Sequence, residues 1–304
     1  MPDTKANAAV FVRHGAGTHN KTKKGKSRRP TVAFPVGRVL GVFSLTTGAV
    51  IDLAVSTWKG KGTGESSLLH ELWHRFKEED TLLGDAIFSS FLAIASALSR
   101  RCHVVSELKK ASYGRINAKL NDQIIKIIKP KYTSQSSLNR ADYDALADEV
   151  TVRVVKIICA PAGFRPKVKF IITTHLDKDI VTAKDLSDLY RQRWQVELNF
   201  RSIKTVLGMD ILHGKSPEMV LKEVWMHMLA YNLIRQKMVE VAVQKKLPVT
   251  TVSFRATQQE MAIVRLLRAC GLDIADEDLI AALLSEQVGH RPDRYEPRTI
   301  KRRP

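Results

Sequence analysis

The chain has 304 residues, 44% of them apolar, enough to bury a sizeable core, which excludes an intrinsically disordered protein. Lys and Arg number 49 against 31 Asp and Glu, and a net charge of +18 points to a polyanionic partner, most often nucleic acid. Cys102, Cys159 and Cys270 are far apart with no C-x-x-C pair, which excludes a disulfide framework and a cysteine zinc site and fits a reducing cytoplasm.

The opening MPDTKAN has no apolar signal segment. Residues 13–29, ending KTKKGKSRR, read as a basic, flexible loop. VGRVLGVFSL and AVIDLAVSTW, joined at Thr46-Thr47-Gly48, predict an antiparallel hairpin. KGKGTGE lacks the G-K-[ST] ending of a nucleotide-binding loop and reads as a turn before a helix starting at Glu65, with Leu68, Leu69, Leu72 and Phe76 as its apolar stripe. TLLGD predicts a short strand ending in Asp85. IFSSFLAIASALSRR predicts a buried helix, too short and too serine-rich to span a bilayer, and CHVVSEL a further strand. QIIKIIK, VTVRVVKIICA and KVKFIITTHL, punctuated by Pro130, Pro161 and Pro166, predict an inserted antiparallel sheet. Helices follow at 183–207, 217–243 and about 258–269, with Met226, Met228 and Met238 as core. The basic tail RPDRYEPRTIKRRP closes the chain. The order implies a mixed α/β core interrupted by an all-β block. The division is residues 1–108 and 181–260 for the two parts of the core, 109–180 for the inserted β-rich subdomain, and 261–304 for a C-terminal helix and basic tail.

The stretch YRQRWQVELNFRSIK raises the question of function. On a uniform helix of about 100° per residue, Arg193, Glu197 and Lys204 fall roughly −60°, −20° and −40° from Tyr190. The apolar Leu189, Val196, Phe200, Ile203 and Leu207 lie alongside, at roughly −80° to −140°. The polar stripe therefore sits at the rim of the buried face. Trp194, on the flank at roughly +40°, could stack on a base, but packing against the inserted sheet is the stronger expectation. An i, i+4 ion pair between Arg193 and Glu197, with Arg in the weaker first position, would account for two of these residues without any function.

Tyr-x2-Arg-x3-Glu-x6-Lys resembles the signature of DDE transposases of bacterial insertion sequences. MPDTKAN, KGKGTGE, EEDTLLGDAIFSSF and RYEPRTIKRRP resemble blocks of the same family in the same order. The resemblance implies an RNase H-like catalytic domain. It also implies strand cleavage and strand transfer at transposon ends by in-line phosphoryl transfer, double-stranded DNA as partner, a homodimer in the synaptic complex and no membrane. Mg²⁺ or Mn²⁺ would be held by acidic residues. By that resemblance Asp85 and Glu197 are catalytic metal ligands, and Tyr190, Arg193 and Lys204 bind DNA. Asp85 also reads as a cap for a helix beginning at Ile87. Ala86 stands where the family has Arg. The family's first Asp closes a first core strand upstream of the Pro-Asp-Thr block, where this chain starts. The expectation is a core lacking that strand, in an inactive, N-terminally truncated copy or a mis-started frame. Asp3 and Asp52 are weaker substitutes for the first Asp.

A rival from another class is a zinc metalloprotease, since HELWH matches H-E-x-x-H with His70 and His74 as ligands and Glu71 as base, His103 or His175 being available as a third ligand. A non-catalytic DNA-binding remnant is the third reading.

Overall fold

The computed structural model describes residues 1–13, 34–133, 136–159, 166–286 and 288. The basic loop at 21–29 and the basic tail lie outside the described residues. Helix α1 (Lys5–Val10) is opened by the Thr4 hydroxyl, which accepts from the Asn7 N–H. Strands β1 (Gly37–Phe43) and β2 (Val50–Thr57) form the expected antiparallel hairpin, a sheet of its own. Gly48 turns it at φ 72°, a left-handed conformation that a side chain would strain. Helix α2 (Glu65–Leu72) buries Leu68, Leu69 and Leu72, then tightens into a 3₁₀ turn at Trp73–Arg75.

Strand β3 (Thr81–Gly84) runs into Asp85 and a 3₁₀ turn at Ala86–Ser89. The helix expected as one piece divides at Ser90, whose hydroxyl accepts from the Ala93 N–H and so starts α3 (Phe91–Leu98) afresh. Strands β4 (His103–Glu107) and β5 (Asp122–Ile128), the short α4 (Arg140–Asp144), β6 (Glu149–Cys159) and β7 (Lys167–Thr173) follow.

The β-rich stretch does not form a separate sheet as expected. The strand order is β3-β4-β7-β6-β5, with β3 and β4 parallel and β4 and β7 antiparallel, so β5 to β7 extend the sheet that β3 and β4 begin. The reason is burial on both faces. Val104, Val152, Val154, Phe170 and Ile172 pack with α3, while Val105, Val155, Ile157 and Ile171 pack on the opposite side. Strands apolar on both faces need cover on both and read as unbroken apolar runs.

The cover on that second side is α5 (Ala183–Gln192), which inserts Leu186 and Tyr190. A capping box starts it: the Thr182 hydroxyl accepts from the Asp185 N–H, and the Asp185 carboxylate accepts from the Thr182 N–H. Next come α6 (Trp194–Arg201) and a π-helical turn at Ser202–Val206. The long α7 (Pro217–Gln244), α8 (Phe254–Ala269) and α9 (Asp276–Ser285) build a second core with Val50 and Leu53 of the hairpin. Met228 and Met238 are core as expected, but Met226 is 63% exposed, because successive residues on a helix face different ways. Among the described residues no helix is long and apolar enough to cross a membrane.

Candidate active-site edge

The signature helix is not uniform. Arg193 N–H donates to the Tyr190 carbonyl and Val196 N–H to the Arg193 carbonyl, both spanning three residues, so the chain tightens between α5 and α6. At the far end Leu207 N–H donates to the Ser202 carbonyl, five residues back, which widens the turn carrying Lys204. The two irregularities correct the single wheel. Tyr190 is buried, Arg193 is half-buried, and Glu197 and Lys204 are exposed, so the stripe climbs out of the core into solvent. Trp194 is 55% exposed and does not pack into the sheet as expected, because the tight turn at Arg193 rotates it outward.

Three of the expected residues meet. Arg193 Nη2 donates to Glu197 Oε1 at 2.7 Å, and the Arg193 guanidinium lies 5.9 Å from the Tyr190 ring. Burial works against the Arg193 cation, but hydrogen bonding to Glu197 and the proximity of Tyr190 outweigh it and raise its pKa. Lys204 stands apart with its ammonium 5.6 Å from the Phe200 ring, at the outer end of the stripe.

Asp85 sits at the C-terminal end of β3. Its Oδ1 accepts from the Ile87 N–H at 2.9 Å, so the cap reading is realised, and the side chain remains exposed. Gly84 before it admits no side chain, since a Cβ there would lie 2.6 Å from the Phe88 ring. The parallel register Gly84↔Ser106 brings Asp85 and Glu107 to neighbouring strand ends, and the Ser106 hydroxyl donates to the Asp85 carbonyl. Glu107 closes the gap to the helix: the Tyr190 hydroxyl donates to Glu107 Oε2 at 2.8 Å and Lys169 Nζ donates to the same oxygen at 2.6 Å. Glu107 and Lys169 were not singled out from the sequence. The available signal was a charged residue closing an apolar strand, as Asp85 closes β3. Burial raises the Glu107 pKa, but hydrogen bonds from Lys169 and Tyr190, and then the Lys169 and Arg193 charges, hold it below the usual glutamate value. Burial first, and then Glu107, push the Tyr190 phenol above its ordinary pKa.

The other acids have partners of their own. Asp3 accepts from Arg13 Nε at 3.1 Å, and buried Asp52 accepts from the Leu53 N–H at 2.7 Å and pairs with Arg75. The H-E-x-x-H pair separates because the helix ends between its members. His70 on α2 faces the Ser137 hydroxyl at 3.4 Å, while His74, in the 3₁₀ turn, reaches the Glu71 carbonyl at 2.8 Å and Asp52 at 3.5 Å. Burial, then Arg100, lowers the His70 pKa to about 4. His103 and His175 stack on each other, ring centroids 4.0 Å apart, between Thr174 and Thr81. Among the described residues no three His, Cys, Asp or Glu side chains are grouped as metal ligands. Asp85 and Glu197, engaged by an N–H and a guanidinium, do not by themselves form a metal site, so no chemical step through a metal is derived.

Fold and site together define a class: a strongly basic α/β protein in which acids and cations interleave where a sheet's end meets a helix. The chain belongs to the Transposase DDE domain family, whose model matches residues 9–233. It is 29% identical over 248 residues to the Escherichia coli K12 transposase InsG for insertion sequence element IS4, covering 79% of this chain and 50% of that relative. It is 38% identical over 64 residues to the putative transposase InsL for insertion sequence element IS186A of the same strain, 21% of this chain and 17% of that one. The chain thus spans half the length or less of these relatives. A cryo-EM structure of a piggyBac transposase synaptic complex with hairpin DNA aligns at a TM-score of 0.46 and 10% identity, over 91% of this chain and 56% of that chain.

Proposed function

We propose that this chain supplies part of the strand-transfer centre of an insertion-sequence DNA transposase, acting on double-stranded transposon ends and target DNA in a homodimeric synaptic complex. One observation carries the reading: Tyr190, Arg193 and Glu197 are tied through Glu107 to the strand end beside Asp85. In this proposal Asp85 and Glu197 are two of the ligands of a divalent cation, Mg²⁺ or Mn²⁺, because hard cations take carboxylate oxygens. The core in this proposal is RNase H-like, built on the five-stranded sheet β3-β4-β7-β6-β5 with the β1–β2 hairpin as a sheet of its own. Arg193 and Lys204 grip backbone phosphates, Arg193 by exchanging Glu197 for a phosphate oxygen.

The test is duplex binding as a function of salt, in chelator. Each cation that neutralises a phosphate contributes about 0.9 to the slope of log affinity against log salt. Arg193→Ala and Lys204→Ala are each expected to flatten the slope by about that amount on any duplex sequence. Slopes and affinities equal to wild type for both variants would overturn the proposal.

A further inference from the structure

Helix α7 buries Val220, Val224, Met228, Tyr231, Ile234 and Met238 along one side. Its opposite side is also apolar, and it lies open: Trp225 is 48% exposed, Met226 63%, Leu229 53% and Leu233 50%. Exposed apolar residues scattered singly need no explanation, but a continuous stripe on one helix does. Lys222, Met226, Leu229, Leu233, Gln236 and Glu240 are all exposed, and they follow one another at alternating spacings of four and three. At about 100° per residue they fall within roughly 80° of one another. That alternation is the seam of a coiled coil, along which a second helix packs. The middle of the seam is apolar, and its two ends carry opposite charges.

The ends decide the partner. Lys222 and Glu240 lie equally far from Tyr231 along the chain, as do Met226 and Gln236, and Leu229 and Leu233. A second copy of the helix, laid antiparallel about a twofold axis at Tyr231, therefore sets Leu229 against Leu233 twice and Lys222 against Glu240 twice. Such a contact is self-complementary and closes as a dimer. Both charges can change partners. Lys222 pairs with Glu218 at 2.5 Å and Glu240 with Lys237 at 2.7 Å, within the same helix and in reach of solvent. Pairs of that kind hold little energy.

We propose that this face of α7 is an interface between two copies of the chain, packed antiparallel with Leu229 and Leu233 at its centre and Lys222–Glu240 pairs at its ends. It gives the homodimer proposed above an interface, but it rests on α7 alone and is tested without DNA, so its failure leaves the DNA-binding role standing.

The experiment is sedimentation equilibrium of residues 1–304 across a concentration series, with urea midpoints as a check on folding. Wild type is expected to pass from monomer to dimer. Leu229→Glu, at an exposed position, is expected to keep the urea midpoint and to leave the chain monomeric. Lys222→Glu and Glu240→Lys, each alone, set like charges against each other at both ends. Both are expected to weaken dimerisation several-fold, although they change the net charge in opposite directions. Mixed in equal amounts, the two variants restore opposite charges at both ends, and dimerisation is expected to recover to the wild-type level. A wild type that stays monomeric throughout would overturn the inference and leave this face to another occupant. So would a dimer unaffected by Leu229→Glu, or a mixture of the charge variants that does not recover. If Leu229→Glu does not fold, the charge variants and their mixture decide.

Discussion

Two ion pairs of nearly equal length, one within the main sheet and one at the junction of α5 and α6, differ in burial. Arg153 on β6 grips Asp122 on edge strand β5 through both guanidinium nitrogens that face it, with contacts of 2.6 to 3.1 Å, and also donates to the Val181 carbonyl. Arg193 grips Glu197 through one bond of 2.7 Å. The first pair is 2% and 34% exposed, the second 24% and 44%. Distance does not separate them; burial and the number of bonds do. Arg153 has no water to return to, so its pair is a fixed strut. Arg193 and Glu197 are both reached by solvent, so their pair can open to other partners at low cost. A fixed pair suits a scaffold, and an exchangeable pair suits a site that must receive a polyanion.

The comparison is broken most sharply by removing one partner from each pair. Asp122→Ala leaves Arg153 buried with only the Val181 carbonyl, and the expected loss of stability is about 3 kcal/mol, read from urea unfolding. Glu197→Gln is expected to cost about 0.5 kcal/mol or less, as for exposed pairs. Equal losses would remove the distinction between strut and exchangeable pair.

Between these two lies a pH effect on the scaffold side. His70 is held neutral, with a folded pKa of about 4 against an ordinary 6.5. Its folded pKa is depressed, so the unfolded chain takes up the proton first. The contribution to stability is whole above pH 6.5 and is lost as the pH falls from 6.5 toward 4. Unfolding midpoints of wild type should drop across that window, and those of His70→Gln should drop less. The same drop in both would move the acid sensitivity to another group.

The sequence and the structure part at places with a common cause. The hairpin, β3 and the flanking helices were legible because each depends on local periodicity and turn chemistry. The union of β5 to β7 with β3 and β4 was not, since strand pairing is a long-range choice that period-2 patterns do not encode. The tightened turn at Arg193 and the widened one at Ser202 escaped a uniform wheel, and with them the exposure of Trp194. Glu197 was proposed from the signature, and Asp85 from its place in the EEDTLLGDAIFSSF block. Glu107 and Lys169 were not, because what marks them is their meeting with Tyr190 across three elements.

The exchangeable pair is tested most directly by duplex affinity in chelator for two single-charge variants, Glu197→Gln and Glu149→Gln. Glu149 pairs with Lys126 at 2.6 Å on the β5–β6 edge of the sheet, also exposed, and serves as the control for net charge alone. Glu197→Gln, which frees Arg193 for a backbone phosphate, is expected to raise affinity several-fold more than Glu149→Gln. Equal affinities for the two variants would contradict it.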